Sequence, residues 1–459
     1  MSLSITSTNP AQNFEIVGEV PMSSLDDVHQ KVMAAKAAFP AWRGMGLGKR
    51  IVYLSNLRDQ FVANKQKLAE LMTAEMGMPI TQTVFTVERA VLYMTWSIDN
   101  AANCLSPEVT SEDANEVHEI LFEPYGVAAC ISPWNFPASN FVWACFQALC
   151  VGNTVVFKNS EEVQLFAKEI EYMAKASGFP EGVFNVIYGD GKIAQAMIED
   201  DINIISFTGS TRVGELLYRQ AAEKFIPCVL ELGGSDPAIV FADADLDKVI
   251  PSVYVGRFTN CGQVCQSTKR LIVEEKIFGT VVKKMVELVT SKKLGDPILP
   301  TTDIGPLVSQ RQLDTLIDQV QDAVDKGAKI MCGGKRPHGL NGAYYEPTIM
   351  IDIKPNMRVW SEEVFGPVLP IISFNGYDDA IRKANDTIYG LSSNIFSSHP
   401  ETIKKAVQDI QAGTVRVNGL NAGRASNIFG GYKRSGIGRE NGKYGFHDVA
   451  QKKMVVRPK

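Results

Sequence analysis

Apolar and polar positions along the chain change period several times, and the changes mark out its organisation. "SLDDVHQKVMAAKAAFPAWRGM" places apolar residues at helical spacing behind a Ser24 N-cap with acids in the first turn, so it predicts an amphipathic helix. Two more helical stretches follow, "GKRIVYLSNLRDQFVANKQKLAELMTAEMG" and "VFTVERAVLYMTWSIDNAANCL". "EVHEILFEPYGVAACISPWN" then alternates with period two around a Pro-Tyr-Gly turn, as a strand or hairpin does. From "GVAACIS" to "VLELGG" short apolar strands alternate with helices, and a second such series starts at Asp236 and runs to "TVRVN". This α/β pattern predicts a parallel sheet covered on both faces in each series, with a Rossmann-type cofactor site beyond the carboxyl ends of the first sheet's strands. "LGGSDP", Leu232 to Pro237, is the expected boundary between two domains.

Composition narrows the class. A chain of 459 residues with 45% hydrophobic and 21% charged residues is long enough for more than one core. A net charge of -5 and a pI near 5.7 offer no attraction for nucleic acid or an anionic membrane. The longest apolar run, "FVWACFQALCVG", is too short to cross a bilayer, and "MSLSITSTNP" lacks the basic and apolar regions of a leader, so a cytoplasmic location is expected. Eight cysteines, several inside apolar runs, read as reduced thiols, and five histidines away from the cysteine pair give no zinc cluster, so no metal is expected.

Several turns between strand and helix carry candidate chemistry. "YGDGKIA" fits a dinucleotide fingerprint but also an ordinary packing turn. "SFTGSTRVGELLYRQ" is more informative: Gly209 permits close approach, Ser210 and Thr211 sit at a helix N-terminus suited to a pyrophosphate, and Gly214 allows close helix packing. Lys158 ends a neighbouring strand. In "ISPWNFPAS" the rigid turn at Pro133, Trp134 and Asn135 sets an amide among apolar groups, an arrangement suited to an oxyanion, and Glu231 ends an apolar strand where burial raises a carboxyl toward general-base range. "FTNCGQVCQST" holds Cys261 and Cys265, which by themselves read as a redox pair or as one nucleophile with a neighbour, a metal site lacking its second half.

"PWNFP" at 133–137, "FTGSTRVG" at 207–214, "LELGG" at 230–234, "GQVC" at 262–265 and "EEVFGPV" at 362–368, in this order and spacing, resemble the NAD(P)-dependent aldehyde dehydrogenases over nearly the whole chain. The resemblance implies Cys265 as nucleophile, Glu231 as base for hydrolysis and Asn135 as oxyanion donor. It implies a cofactor held by Ile131, Pro133, Trp134 and Leu232, with Lys158 and Glu161 on the adenosine ribose, Gly209 and Ser210 at the pyrophosphate, and Glu363 and Phe365 around the nicotinamide ribose. Residues 1–114 and 125–235 then form the cofactor domain, 236–424 the catalytic domain, and 115–124 with 445–459 the strands of a homodimer or homotetramer.

The chain departs from the family pattern at Ala144, where a lysine commonly follows the aromatic, and at Asn159, where proline usually follows the lysine. Trp143 and Phe136, with the loop "NGLNAGRASNIFGG", line the expected access tunnel for a small-molecule aldehyde. Arg424 in that loop is the expected partner of a distal carboxylate, as in a semialdehyde such as succinate semialdehyde. Glu161 favours NAD over NADP, because a carboxylate repels a 2′-phosphate. The alternatives are a CoA-acylating aldehyde dehydrogenase, against which Glu231 argues, and a silent binding protein on the same fold.

Overall fold

The computed structural model describes residues 3–419 and 423–459. A hairpin of Ser4–Asn9 and Glu15–Pro21 leads into four helices, Leu25–Gly44, Leu47–Ala63, Lys65–Met76 and Ile80–Cys104. The expected cap forms at the first of them: Ser24 Oγ accepts from Asp27 N at 3.1 Å and Ser24 N donates to the Asp27 carboxylate at 2.7 Å.

The first sheet has six strands, in the spatial order Gly436–Ile437, Cys228–Glu231, Ile204–Thr208, Val127–Ser132, Thr154–Asn159, Phe184–Ile187. All pairs are parallel except that of Gly436–Ile437, a two-residue strand that returns from the C-terminal region to lie against Glu231 and Leu230. Successive connections run one way from Val127–Ser132 through Thr154–Asn159, and the other way from Ile204–Thr208. The crevice between these two directions opens at the carboxyl ends of Val127–Ser132 and Ile204–Thr208, where a ligand site is expected in such a sheet. Every residue of Val127–Ser132 and Thr154–Asn159 is buried, as strands covered on both faces must be.

The second sheet has seven strands, ordered Lys329–Cys332, Thr348–Ile351, Val368–Phe374, Thr268–Glu274, Asp236–Val240, Ser392–Phe396, Thr414–Val417, all parallel but the first. Its core includes Leu271, Val273, Ile349 and Ile371. The α/β architecture expected from the alternating pattern is therefore present in both series.

A third sheet joins Glu108–Glu112, Glu116–Pro124 and Ala450–Pro458, all antiparallel. The C-terminal extended segment starts at Ala450, because Phe446–Asp448 belong to the short helix Gly442–Asp448. No helix among the described residues is long and apolar enough to cross a membrane.

Candidate active site

A cavity of about 1010 Å³ opens at the crevice of the first sheet and is closed on its far side by the segment between the helix Leu246–Phe258 and the strand Thr268–Glu274. Pro133, Trp134, Asn135, Trp143, Gly209 and Ser210 line it, and so do Glu231, Leu232, Cys265, Glu363 and Phe365. These come from five separate stretches of sequence, and the fold brings them to one place.

The turn bearing Cys265 is held in an unusual backbone. Asn260, Cys261 and Gly262 have φ of 50°, 55° and 74°, a left-handed run that costs energy at each non-glycine residue. Side chains over-determine it: Gln82 Oε1 accepts from Asn260 N at 2.8 Å, and Asn260 Nδ2 donates to the Asn135 carbonyl at 2.8 Å. Gln263 Oε1 accepts from Val308 N at 2.9 Å. Gly262 is required for a second reason, since a Cβ there would lie 2.3 Å from the Gly366 carbonyl. The run turns Cys261 inward, where it is 1% exposed, and leaves Cys265 half-buried on the cavity wall. The two cysteines of the motif thus face different surroundings.

Asn135 is aimed at the same turn. Its Nδ2 donates to the Gln263 carbonyl at 3.1 Å, while Asn140 Nδ2 donates to its Oδ1 at 3.1 Å and fixes the amide's orientation. An amide nitrogen carries two hydrogens, so one remains for a ligand oxygen. Burial pushes the Cys265 thiol up to about 12, with Lys269 opposing and Glu363, Asp236 and Glu231 adding to the rise.

Glu231 ends its strand 1% exposed, and neither carboxylate oxygen has a hydrogen-bond partner among the described residues. Burial raises its pKa well above the ordinary value, and the nearby Glu440 raises it further. Glu440 is itself buried, accepts from Thr208 Oγ1 at 3.5 Å, and is raised by burial to about 8. A dry carboxyl bordering a cavity, without a partner, is equipped to take a proton from a water placed there.

On the opposite wall, Lys269 Nζ lies 3.0 Å from Glu363 and donates to the carbonyls of Val264 at 2.9 Å and Cys265 at 2.5 Å. Glu363 also accepts from Gly234 N at 3.1 Å, and a Cβ at Gly233 would fall 2.3 Å from its other oxygen. Phe365 meets Trp134 edge to face at 5.6 Å. At the crevice, Ser210 caps the helix Thr211–Lys224 by accepting from Val213 N at 3.4 Å, and Gly214 packs where a Cβ would be 2.3 Å from Leu232. Gly209, the helix start and this glycine-lined wall suit the approach of a phosphate and a sugar.

Ile131, Lys158, Glu161 and Arg424 do not border the cavity. Ile131 and Lys158 are buried in adjacent strands, and Lys158 Nζ lies 3.5 Å from the half-exposed Glu161 carboxylate. Burial lowers the Lys158 pKa, with Glu161 opposing. Arg424 is exposed beside Leu420–Ala422, which lie outside the described residues, so the expected carboxylate partner is not in the tunnel. "YGDGKIA" is a packing turn: Asp190 caps the helix Gly191–Glu199, and a Cβ at Gly189 would lie 2.3 Å from Ile193.

Arg89 and Arg416 do border the cavity, and sequence reasoning passed over both, along with Lys269, Asn140 and Glu440. Trp143 packs on Tyr93 at 5.5 Å and Phe429 at 4.9 Å. It projects from a π-helical turn, Val142–Phe146, a feature frequent at functional sites, and the following Ala144 is fully buried.

The family model for the aldehyde dehydrogenase family matches residues 2–455. The chain is 36% identical over 453 residues to a probable succinate-semialdehyde dehydrogenase [NADP(+)] of Sinorhizobium fredii, covering 97% of this chain and 91% of that one. It is 36% identical over 454 residues to human retinaldehyde dehydrogenase 3, covering 98% and 88%. The crystal structure of a NAD-dependent aldehyde dehydrogenase from Sinorhizobium meliloti superposes with a TM-score of 0.96 at 34% identity, over 99% of this chain and 91% of that one. With the family model matched over residues 2–455 and relatives 36% identical over nearly its whole length, this chain belongs to the aldehyde dehydrogenase family.

Proposed function

We propose that this chain oxidises an aldehyde to a carboxylic acid through a thioester on Cys265, with NAD preferred to NADP. The observation that carries this reading is the convergence of Cys265, Asn135 and Glu231 on one cavity from three separate stretches of chain.

In this reading the Cys265 thiolate attacks the aldehyde carbon, and the developing oxyanion accepts from the free hydrogen of Asn135 Nδ2 and from the Cys265 backbone N–H. The Asn140 contact keeps that amide oriented, so little reorganisation is needed as charge develops. A nicotinamide dinucleotide bound in the crevice supplies the acceptor for the hydride that leaves the adduct. Glu363, steadied by Lys269 and Gly234, holds its nicotinamide ribose, with Phe365 alongside. Pro133, Trp134 and Leu232 line the cavity and would pack around the dinucleotide, Ile131 lies buried in its strand outside that lining, and Gly209 and Ser210 would receive the pyrophosphate at the helix N-terminus. Glu231 then takes a proton from the water that attacks the thioester, and the carboxylic acid leaves with Cys265 restored. That base supports hydrolysis over transfer of the acyl group to CoA.

Glu161 supports NAD, since its carboxylate beside Lys158 accepts from ribose hydroxyls and opposes a 2′-phosphate. The relatives divide, one named for NADP(+) and one solved enzyme described as NAD-dependent. The relative from Sinorhizobium fredii supports a semialdehyde such as succinate semialdehyde as substrate. Exposed Met454 and Val456 on the edge strand Ala450–Pro458 support a homodimer or homotetramer, and eight thiols without a disulfide support a cytoplasmic location.

The test is NADH formation by two variants. Cys265→Ala should abolish it with NAD binding kept, while Cys261→Ala should retain most of it; the reverse result would reject the assignment.

A further inference from the structure

We propose that Arg416 and Arg89 form a carboxylate-recognition pair in the substrate half of the cavity, selecting short aldehydes with an anionic group at the far end. The inference rests on Cys265 being the thiol that attacks the aldehyde, and it names the residues that would recognise the far carboxylate of a semialdehyde.

The two guanidinium groups reach the cavity from distant parts of the chain, Arg89 from the helix Ile80–Cys104 and Arg416 from the strand Thr414–Val417. Among the described residues, no carboxylate lies within 4.0 Å of either one. Arg416 Nη1 donates to Ser392 Oγ at 2.9 Å and Nη2 donates to Gln266 Oε1, both neutral acceptors. Gln266 directly follows Cys265, and Cys265 is among the groups whose charge acts on Arg416. The acid that acts on this charge is Asp236, whose carboxylate is already engaged by the backbone N and the hydroxyl of Ser392. Burial lowers the Arg416 pKa, Asp236 and Cys265 oppose this, and Arg89 adds to it as a like charge.

Arg89 is held in a different way. Its Nη2 donates to Tyr93 Oη and to the Gly423 carbonyl, each at 3.3 Å, and its guanidinium lies 5.8 Å from the ring centres of Phe85 and Tyr93. Tyr93 in turn packs on Trp143, which fixes the wall that carries the charge. A planar cation stacked on aromatics keeps its N–H groups available and loses little freedom on binding a carboxylate.

Two cations without an ion-pair partner among the described residues, lining one cavity with Phe85, Trp143 and Phe429 and acting on each other as like charges, leave a place for an anion. One carboxylate between them satisfies free N–H groups on both and removes their mutual repulsion. The Gln266 contact puts this place near the nucleophile, so the favoured substrate is short. Arg424 is exposed and is not among the residues lining the cavity.

A structural role for Arg416, bracing Ser392–Phe396 against Thr414–Val417, predicts a different outcome: its loss would harm all aldehydes alike. The experiment compares kcat/KM for succinate semialdehyde and for butanal, which has the same chain length without the carboxylate, at saturating NAD with the intact enzyme. The unaltered protein should favour succinate semialdehyde by roughly a hundredfold, and Arg416→Gln and Arg89→Gln should each cut that ratio by about tenfold or more, chiefly through KM. Arg416→Lys should recover part of the ratio. If Arg416→Gln does not fold, as judged by melting, the Arg89→Gln ratio decides. A ratio near one in the unaltered protein, or a ratio that neither variant changes, would overturn the pair while leaving aldehyde oxidation intact. No NADH from any aldehyde would overturn both readings.

Discussion

The Lys269 ammonium lies 3.0 Å from the Glu363 carboxylate and 2.5 Å from the backbone carbonyl of Cys265, so one buried cation ties together the two walls of the cavity. Glu363 comes from the loop before Val368–Phe374 and Cys265 from the turn before Thr268–Glu274, and among the described residues Glu363 has no other ion pair. Removing the ammonium leaves the carboxylate without its ion pair and the turn without one of the contacts that hold it.

Lys269→Met should therefore raise the KM for NAD and lower kcat, each by about tenfold, and lower the melting temperature, because breaking a buried pair strands the remaining charge. Gly233→Ala should raise the KM for NAD with a smaller effect on kcat, since its Cβ displaces Glu363 alone. Steady-state kinetics and a thermal melt check both.

The pH dependence of rate and of stability should run in opposite directions. Cys265 and Glu231 both hold their protons more tightly than usual and both must lose them to act, so kcat/KM should climb from neutral into alkaline pH. Glu440→Gln removes a like charge from beside Glu231 and should move the acidic limb of kcat to lower pH. For stability, a carboxyl raised from 4.5 to about 8 in the fold, as Glu440 is, binds its proton more tightly folded than unfolded. Its contribution is fully present below 4.5 and is lost as pH rises through about 8. A rate that is flat with pH, or a denaturant midpoint that rises across that window, would contradict this.

Cofactor choice should follow Glu161. The unaltered protein should favour NAD over NADP by about tenfold or more in kcat/KM, from like-charge opposition to the 2′-phosphate. Glu161→Ser should relax the preference mainly by lowering the KM for NADP, with Lys158 then free to meet the phosphate. Equal efficiency with the two cofactors in the unaltered protein would remove the role of Glu161.

Quaternary structure should be visible in solution. Among the described residues, Ala450–Pro458 pairs on one side only, with Glu116–Pro124. Unpaired edges of this length are normally covered. Light scattering at micromolar concentration should report a dimer or tetramer, and a monomer would refute it.

Much of the site was legible because its residues end strands inside apolar runs. Glu231 closes "VLE" and Asn135 follows "ISPW", where pattern and motif agree, whereas Cys265 sits in a polar turn that only the motif singled out from Cys261. Arg416 was missed for a physical reason: in the short alternating strand "TVRV" an arginine reads as solvent-facing, and only the packing of Ser392–Phe396 decides which face borders the cavity. Arg424 drew attention instead because loops carry function more often than strands do. The left-handed run at Asn260–Gly262 had only its glycine as a signal, and the π-helical turn at Val142–Phe146 had none, since apolar spacing reads the same on either helix. Glu440 meets Glu231 through the two-residue strand Gly436–Ile437, too short to produce a period.

The central claim is a thioester on Cys265 released by Glu231, and Glu231→Gln tests it most directly. Mixed rapidly with aldehyde and NAD, this variant should form NADH in a single burst of about one equivalent and then stall, because hydride loss does not need the carboxylate and deacylation does. Intact-protein and peptide mass spectrometry of the stalled enzyme should find the acyl group on Cys265. Steady turnover without an adduct, or an acyl group on Cys261, would contradict the account.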